Sequence, residues 1–153
     1  MNTYWDDIFQ RHWDMYDPSF SGNRIRLPGT TTEAILKLER ELGFELPTEF
    51  HDCYLAANGF GIDRLLLVPV EQIPGFISVV RHWLGASHQH IADRFFPFID
   101  SEYGPTGYLL EENGDLSDYM FRAVRERYND DRNIAPDAFV EPSAQSIWSY
   151  LTC

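Results

Sequence analysis

Two adjacent amphipathic helices, separated by a short break, constrain the fold of this chain more than any other feature of its sequence. They are predicted within the stretch from Leu27 to Gly61. Thr30 and Glu33 fit the capping-box pattern, in which the two side chains satisfy free N–H groups at a helix start. The apolar residues that follow recur at helical spacing and predict one buried stripe: Ile35, Leu38 and Leu42. Two apolar helix faces need cover, which indicates a globular domain.

Glycine and proline residues mark where these two helices end and begin. Gly43 suits the left-handed conformation that ends the first helix. Pro47 suits the first turn of the second helix, because its missing N–H group has no helical partner there. The second helix is predicted to end at Asn58-Gly59, since both residues tolerate a positive φ. Its buried stripe has three members: Phe50, Tyr54 and Ala57.

The residue choices in this stretch resemble the signature of the SUKH superfamily, which groups bacterial immunity proteins with a fungal cell-wall-synthesis regulator. The matching features are a leucine- and glutamate-rich helix, Leu42-Gly43, Leu46-Pro47 and an aromatic helix that ends at Asn58-Gly59. Three later stretches resemble further blocks of that superfamily: Phe96-Pro97-Phe98, Gly107 to Gly114, and Ala138 to Glu141 with the helix after it. The resemblance covers residues 27–151 and leaves residues 1–26, an N-terminal helix and loop, outside it.

The remaining segments alternate between helical and strand patterns. Residues 3–16 predict an amphipathic helix that packs on its own domain, with Trp5 and Trp13 as alternative interface anchors. Residues 19–28 predict a loop. The apolar run Leu65–Val68 predicts a strand that is buried on both faces or covered by helices. Further predictions are a helix at 75–84, a strand at 95–99 with a bulge or edge position at Pro97, and a hairpin of 106–112 and 115–121 across Asn113-Gly114. A turn and loop are predicted at 122–137, and a last helix opens at Pro142-Ser143.

This order of elements predicts an α+β fold. We expect one domain over residues 1–153, with helices packed against one mixed β-sheet that contains a β-hairpin. The resemblance to SUKH domains implies the same architecture.

The chain is strongly acidic, with a formal net charge of −12 and a pI near 4.6. Direct binding to nucleic acid or to an anionic membrane surface is therefore disfavoured, because phosphate contacts need Lys and Arg. A basic protein partner is permitted, and solubility alone is the alternative reason for such acidity. The two cysteines offer no disulfide framework, and the N-terminus lacks the pattern of a signal peptide. We therefore expect a cytoplasmic protein without membrane spans.

The sequence offers few groups for catalysis or metal binding. His82, His88, His90 and Asp93 form the only metal-like cluster, and a solvated polar loop explains them better. Cys53 follows His51 and Asp52, but successive helical residues do not face one another, so Cys53 is predicted to lie in the core. We therefore expect no enzyme, no metal and no cofactor.

Carboxylates cluster around the predicted strand and hairpin of the second half. If these elements are neighbours, the carboxylates converge at one edge of the sheet, with Asp130 and Asp131 as further members. Such a cluster repels itself, and a basic partner relieves that repulsion; a solvated rim is the alternative. The predicted partner-binding residues are Asp100, Glu102, Glu111, Glu112, Asp115 and Asp118.

The resemblance implies an immunity protein that binds a cognate bacterial toxin, such as a nuclease or another enzyme domain, and neutralises it by occlusion. The alternative is a regulatory scaffold for a signalling or cell-wall enzyme. A small hydrolase with a carboxylate or histidine site is a third hypothesis, which requires a pocket around His82, His88 or His90.

Overall fold

A computed structural model describes residues 3–84, 89–123 and 140–153, apart from the side chains of Gln89, His90 and Val140. The helices are α1 (Thr3–Tyr16), α2 (Thr32–Leu42), α3 (Thr48–Ala56), α4 (Ile73–Leu84), α5 (Gln89–Ala92) and α6 (Ile147–Thr152), with a 3-10 turn at Val70–Gln72. The strands are β1 (Arg24–Arg26), β2 (Phe60–Ile62), β3 (Arg64–Leu67), β4 (Phe95–Ser101), β5 (Gly104–Leu110), β6 (Leu116–Ala123) and β7 (Val140–Ala144).

The chain divides into two compact units, one of Met1–Gln72 with Ser146–Cys153 and one of Ile73–Gln145. In the first unit, β2 pairs with both β1 and β3. In the second unit, β4, β5, β6 and β7 pair in succession. All these strand pairs are antiparallel. The prediction of a mixed sheet was therefore wrong for the pairs that the structure describes. The predicted α+β fold class is confirmed.

Helix α1 matches its prediction at both ends, and its apolar spacing sets which face is buried. Its buried residues are Trp5, Ile8, Phe9 and His12. The ring of Phe9 stacks on Phe60 of β2 with 4.5 Å between the centroids. Two further aromatic residues of α1, Tyr4 and Tyr16, are exposed. The inward face therefore packs on its own unit, as predicted.

Helix α2 begins one residue later than the capping-box pattern predicted. Thr31 is the N-cap, and its Oγ1 accepts a hydrogen bond from the N–H of Ala34 at 3.2 Å. The N–H of Thr30 donates instead to the backbone carbonyl of Tyr54. Gly43 ends the helix with φ +86°, as predicted.

Hydrogen bonds of polar side chains join α2 to α3, and they join the end of α3 to the 3-10 turn. The carboxylate of Glu39 accepts from the N–H of Leu46 at 2.5 Å and interacts with Nε2 of His51 at 3.0 Å. Two partners offset the cost of burying this carboxylate. Pro47 is the N-cap of α3 and not part of its first turn. Asn58 accepts from the N–H of Val70 at 2.8 Å, so it fastens the 3-10 turn.

The second unit is a four-stranded antiparallel meander with α4 and α5. Pro97 lies in β4 at a bulge, as predicted, because the register shifts between Pro97 and Ile99. The hairpin across Asn113-Gly114 is also confirmed, with β5 and β6 as its strands. One buried cluster joins the helices to the sheet: Val80, Leu84, Ile91, Ala92, Phe95 and Ala123.

Several predictions were wrong at short strands and at the C-terminal helix. The predicted loop at 19–28 contains β1, and no strand was predicted at the position of β2. In the strand predicted to be buried on both faces or covered by helices, Leu65 and Leu66 are only half-buried. Pro142 and Ser143 belong to β7, and α6 begins after Ser146, its N-cap. Of the predicted turn and loop at 122–137, residues 124–137 lie outside the described residues.

Candidate functional site

Three of the predicted carboxylates, Glu111, Glu112 and Asp115, lie in the turn between β5 and β6, and Asp118 lies near the start of β6. We call these four residues the acidic hairpin tip. The carbonyl of Glu111 accepts from the N–H of Gly114, and its N–H donates to the carbonyl of Asp115. Gly114 has φ +91°. This is the hairpin loop in which a tight turn is followed by one left-handed residue. The loop holds three of the four carboxylates on a fixed backbone.

The other two predicted residues lie elsewhere. Asp100 faces Pro105 across the β4–β5 pair, and Glu102 lies in the turn between those strands. Strand β5 separates this turn from the acidic hairpin tip. Its seven residues span about 20 Å at the rise of an antiparallel strand. The prediction that all six carboxylates converge at one edge was therefore wrong. Asp130 and Asp131 lie outside the described residues.

The acidic hairpin tip is exposed and lacks cationic partners among the described residues. All four side chains are exposed to solvent, and none forms a salt bridge within the described ranges. The nearby Arg94 donates through Nε to the backbone carbonyl of Leu110 at 2.7 Å. The four negative charges at this end of the hairpin repel one another, and that repulsion is relieved when a cationic surface covers them.

A bulge in β6 turns an aromatic side chain outward beside the acidic hairpin tip. Oγ of Ser117 accepts from the N–H of Leu109 at 3.1 Å and donates to the carbonyl of Tyr119. Asp118 and Tyr119 are consecutive and both exposed, which regular strand alternation does not give. Tyr119 is 47% exposed. Sequence reasoning missed Tyr119, because only the bulge exposes it beside its chain neighbour Asp118.

The histidine cluster forms no site within the described residues. His82 is exposed on α4, whereas His88 and the side chain of His90 lie outside the described residues. Among the residues that are described, no three His, Cys, Asp or Glu side chains are placed to hold a metal ion. The pair of His51 and Glu39 serves the helix junction described above.

The two cysteines differ in exposure, and both are free thiols. Cys53 is fully buried in α3, as predicted. Burial raises the pKa of its thiol well above the ordinary value, with the charge of Glu49 acting in the same direction. A thiol with a raised pKa is a poor nucleophile at neutral pH, so Cys53 is a core residue.

Comparison with protein families identifies a match over most of the chain. A family model described as the SMI1 / KNR4 family (SUKH-1) matches residues 29–149, which is more than half of the chain. Comparison with curated proteins gives no significant match. None of the helices in the described ranges combines the length and the hydrophobicity needed to cross a lipid bilayer.

Proposed function

The chain belongs to the SMI1 / KNR4 family (SUKH-1), and from this premise we propose that it is an immunity protein. It binds a cognate bacterial toxin in the cytoplasm and neutralises it by covering a surface that the toxin needs. The toxin is a nuclease or another enzyme domain with a basic surface. The chain itself performs no chemistry in this process.

The observation that carries the choice of partner is the exposed charge of the acidic hairpin tip, which forms no salt bridge with the residues that the structure describes. A nuclease groove is lined by Lys and Arg that contact phosphates, and carboxylates on a fixed turn are able to occupy such a groove in their place. Tyr119 adds an aromatic contact of the type enriched at interface hot spots. The net charge of −12 speeds the encounter with a basic partner through electrostatic steering.

The test measures the affinity of this chain for the toxin domain encoded next to its gene. A triple variant, Glu111→Lys, Glu112→Lys and Asp115→Lys, reverses three charges of the acidic hairpin tip. We expect the Kd to rise about 10- to 100-fold at about 20 mM salt, and less at higher salt, where charges are screened. Inhibition of the toxin is expected to weaken in parallel.

The matched control reverses three exposed carboxylates of the first unit: Glu41→Lys, Glu45→Lys and Asp52→Lys. It changes the net charge by the same amount and leaves the acidic hairpin tip intact. An equal loss of affinity in both variants would mean that only overall charge matters. An unchanged Kd in the first variant at low salt would remove the acidic hairpin tip as the contact surface. If the unmodified chain does not bind any neighbouring toxin domain, the regulatory-scaffold alternative takes precedence.

A further inference from the structure

A loop of the first unit, Asp17 to Asn23, is built around one buried carboxylate, and we call it the Asp17 loop. The side chain of Asp17 accepts from the N–H of Gly22 and from Nε of Arg24, both at 3.0 Å. Its backbone carbonyl accepts from the N–H of Phe20 at 3.1 Å and from a terminal nitrogen of Arg24 at 2.9 Å. These four bonds fix the loop and neutralise the charge of Arg24.

Phe20 is the exposed residue that this loop presents. Its ring is 70% exposed, and its φ of +56° lies in the left-handed region, which a bulky side chain rarely adopts. Both features cost free energy, and both persist because the bonds to Asp17 hold the backbone in place. Strain that surrounding contacts maintain at an exposed residue is typical of a binding position.

The ring of Phe20 already binds a cation on one face. The guanidinium carbon of Arg24 lies 3.9 Å from the ring centroid of Phe20 and 5.6 Å from the ring centroid of Trp13. Because Phe20 remains 70% exposed although Arg24 covers one ring face, the opposite face accounts for much of this exposure. The π-system presents negative potential on both faces, so the opposite face also attracts a cation.

The charges around the Asp17 loop favour a second cation over an anion. Arg24 is paired with Asp17 and adds little net positive charge. Asp63 accepts from the N–H of Asn23 at 2.8 Å, is exposed, and forms no salt bridge with any described residue. Asp63 therefore adds a negative charge beside the Asp17 loop, in agreement with the net charge of the chain.

We propose that Phe20 is a preformed platform for a basic protein partner, which stacks an arginine or lysine side chain on the ring face opposite Arg24. This interaction surface belongs to the first unit and goes beyond the proposed function, since it needs neither the acidic hairpin tip nor a toxin. The recognising chemistry is a cation–π contact supported by Asp63.

The test is an NMR titration of the full chain with a blocked tri-arginine peptide, and a tri-glutamate peptide serves as the matched negative probe. The indole N–H of Trp13 donates to the carbonyl of Gly61, which makes it an ordered reporter near Arg24. We expect the arginine peptide to shift the signals of this indole and of the amides of Phe20 and Gly22. The glutamate peptide is expected to leave them unchanged.

Two substitutions separate a cation–π contact from simple apolar contact. Phe20→Leu keeps apolar bulk without a π face, and the Kd for the arginine peptide at these signals is expected to rise about two- to five-fold. Phe20→Tyr keeps the ring and should retain the unmodified Kd. Tyr103→Leu removes an aromatic side chain that is 71% exposed in the second unit, so it is a matched control that should have no effect.

The proposal would be overturned if the arginine peptide shifted only NMR signals of the acidic hairpin tip. It would also be overturned if the Phe20→Leu and Phe20→Tyr variants bound the arginine peptide with equal affinity. Thermal unfolding of each variant checks that the chain is folded. If Phe20→Leu is unfolded, the comparison of Phe20→Tyr with the unmodified chain and the position of the shifted signals still decide the outcome. Because the probe is a peptide, failure here leaves the toxin-binding proposal standing, and the reverse also holds.

Discussion

His12 of α1 packs against α6 and β2, and only 8% of its surface is exposed. Its Nδ1 is 2.9 Å from the backbone carbonyl of Leu151, so in the hydrogen-bonded tautomer Nδ1 carries the proton and donates. Its ring also contacts the rings of Tyr16 and Phe60. Burial lowers the pKa of His12 below its ordinary value of 6.5, and the bond to Leu151 opposes that effect only in part.

This burial predicts that His12 makes the protein less stable in mild acid. Because the folded pKa lies below 6.5, the unfolded chain binds a proton first as the pH falls. The contribution of neutral His12 to the free energy of unfolding is complete above pH 6.5. It is lost as the pH falls from 6.5 toward the pKa of His12 in the folded protein. We expect His12→Gln to reduce the drop in unfolding free energy between about pH 7.5 and about pH 5, measured by urea denaturation.

A matched control is His82→Gln, which changes an exposed histidine of α4. It should leave the pH dependence of stability as it is in the unmodified chain. An equal pH dependence in the His12→Gln variant would show that other groups, such as the carboxylates, produce the effect.

At the scale of elements, the helices carry their own signals and the short strands do not. Helix α1 follows its apolar spacing at both ends, and α2 ends at the glycine that its pattern predicted. Strands β1 and β2 have three residues each, too few to show a period of two. They become strands only because their backbones pair with other segments, β1 with β2 and β2 also with β3.

Alanine substitutions at two glycines, one inside a helix and one at a helix end, are predicted to change the stability in opposite directions. Gly75 lies inside α4, and a Cβ atom added there would meet nothing within 4 Å. Gly75→Ala should therefore stabilise the protein by about 0.5–1 kcal/mol, since alanine loses less backbone entropy in a helix. Gly43 also has open space, but its φ is +86°. Gly43→Ala should destabilise by about 1 kcal/mol, because a Cβ is strained in that conformation.

Denaturant unfolding measures the free energy of unfolding of the Gly75→Ala and Gly43→Ala variants, and each variant serves as the control for the other. The space around the added methyl group is open in both cases, so only the backbone conformation differs. Two changes of the same sign would contradict the interpretation.

At the scale of the whole molecule, the net charge of −12 sets how stability responds to salt. Self-repulsion destabilises a compact state of high net charge, and added ions screen it. We expect the Tm to rise as NaCl is increased from about 20 to about 200 mM. The triple lysine variant of the acidic hairpin tip carries −6, so its Tm should rise less over the same range. A Tm that falls with salt would mean that ion pairs, such as those of Asp17 and Asp6, outweigh the repulsion.

The sequence by itself determined the α+β class, the family resemblance, the helix α1, the hairpin at Asn113-Gly114 and the burial of Cys53. These features follow from apolar spacing and from residues with restricted backbone preferences, which act over a few positions of the chain. Tertiary structure alone decided that Asp100 and Glu102 lie at the far end of β5 from the acidic hairpin tip. It also decided that a bulge exposes Tyr119 and that Arg24 covers one face of Phe20. Strand register, bulges and ring contacts depend on partners distant in sequence, so local patterns do not encode them.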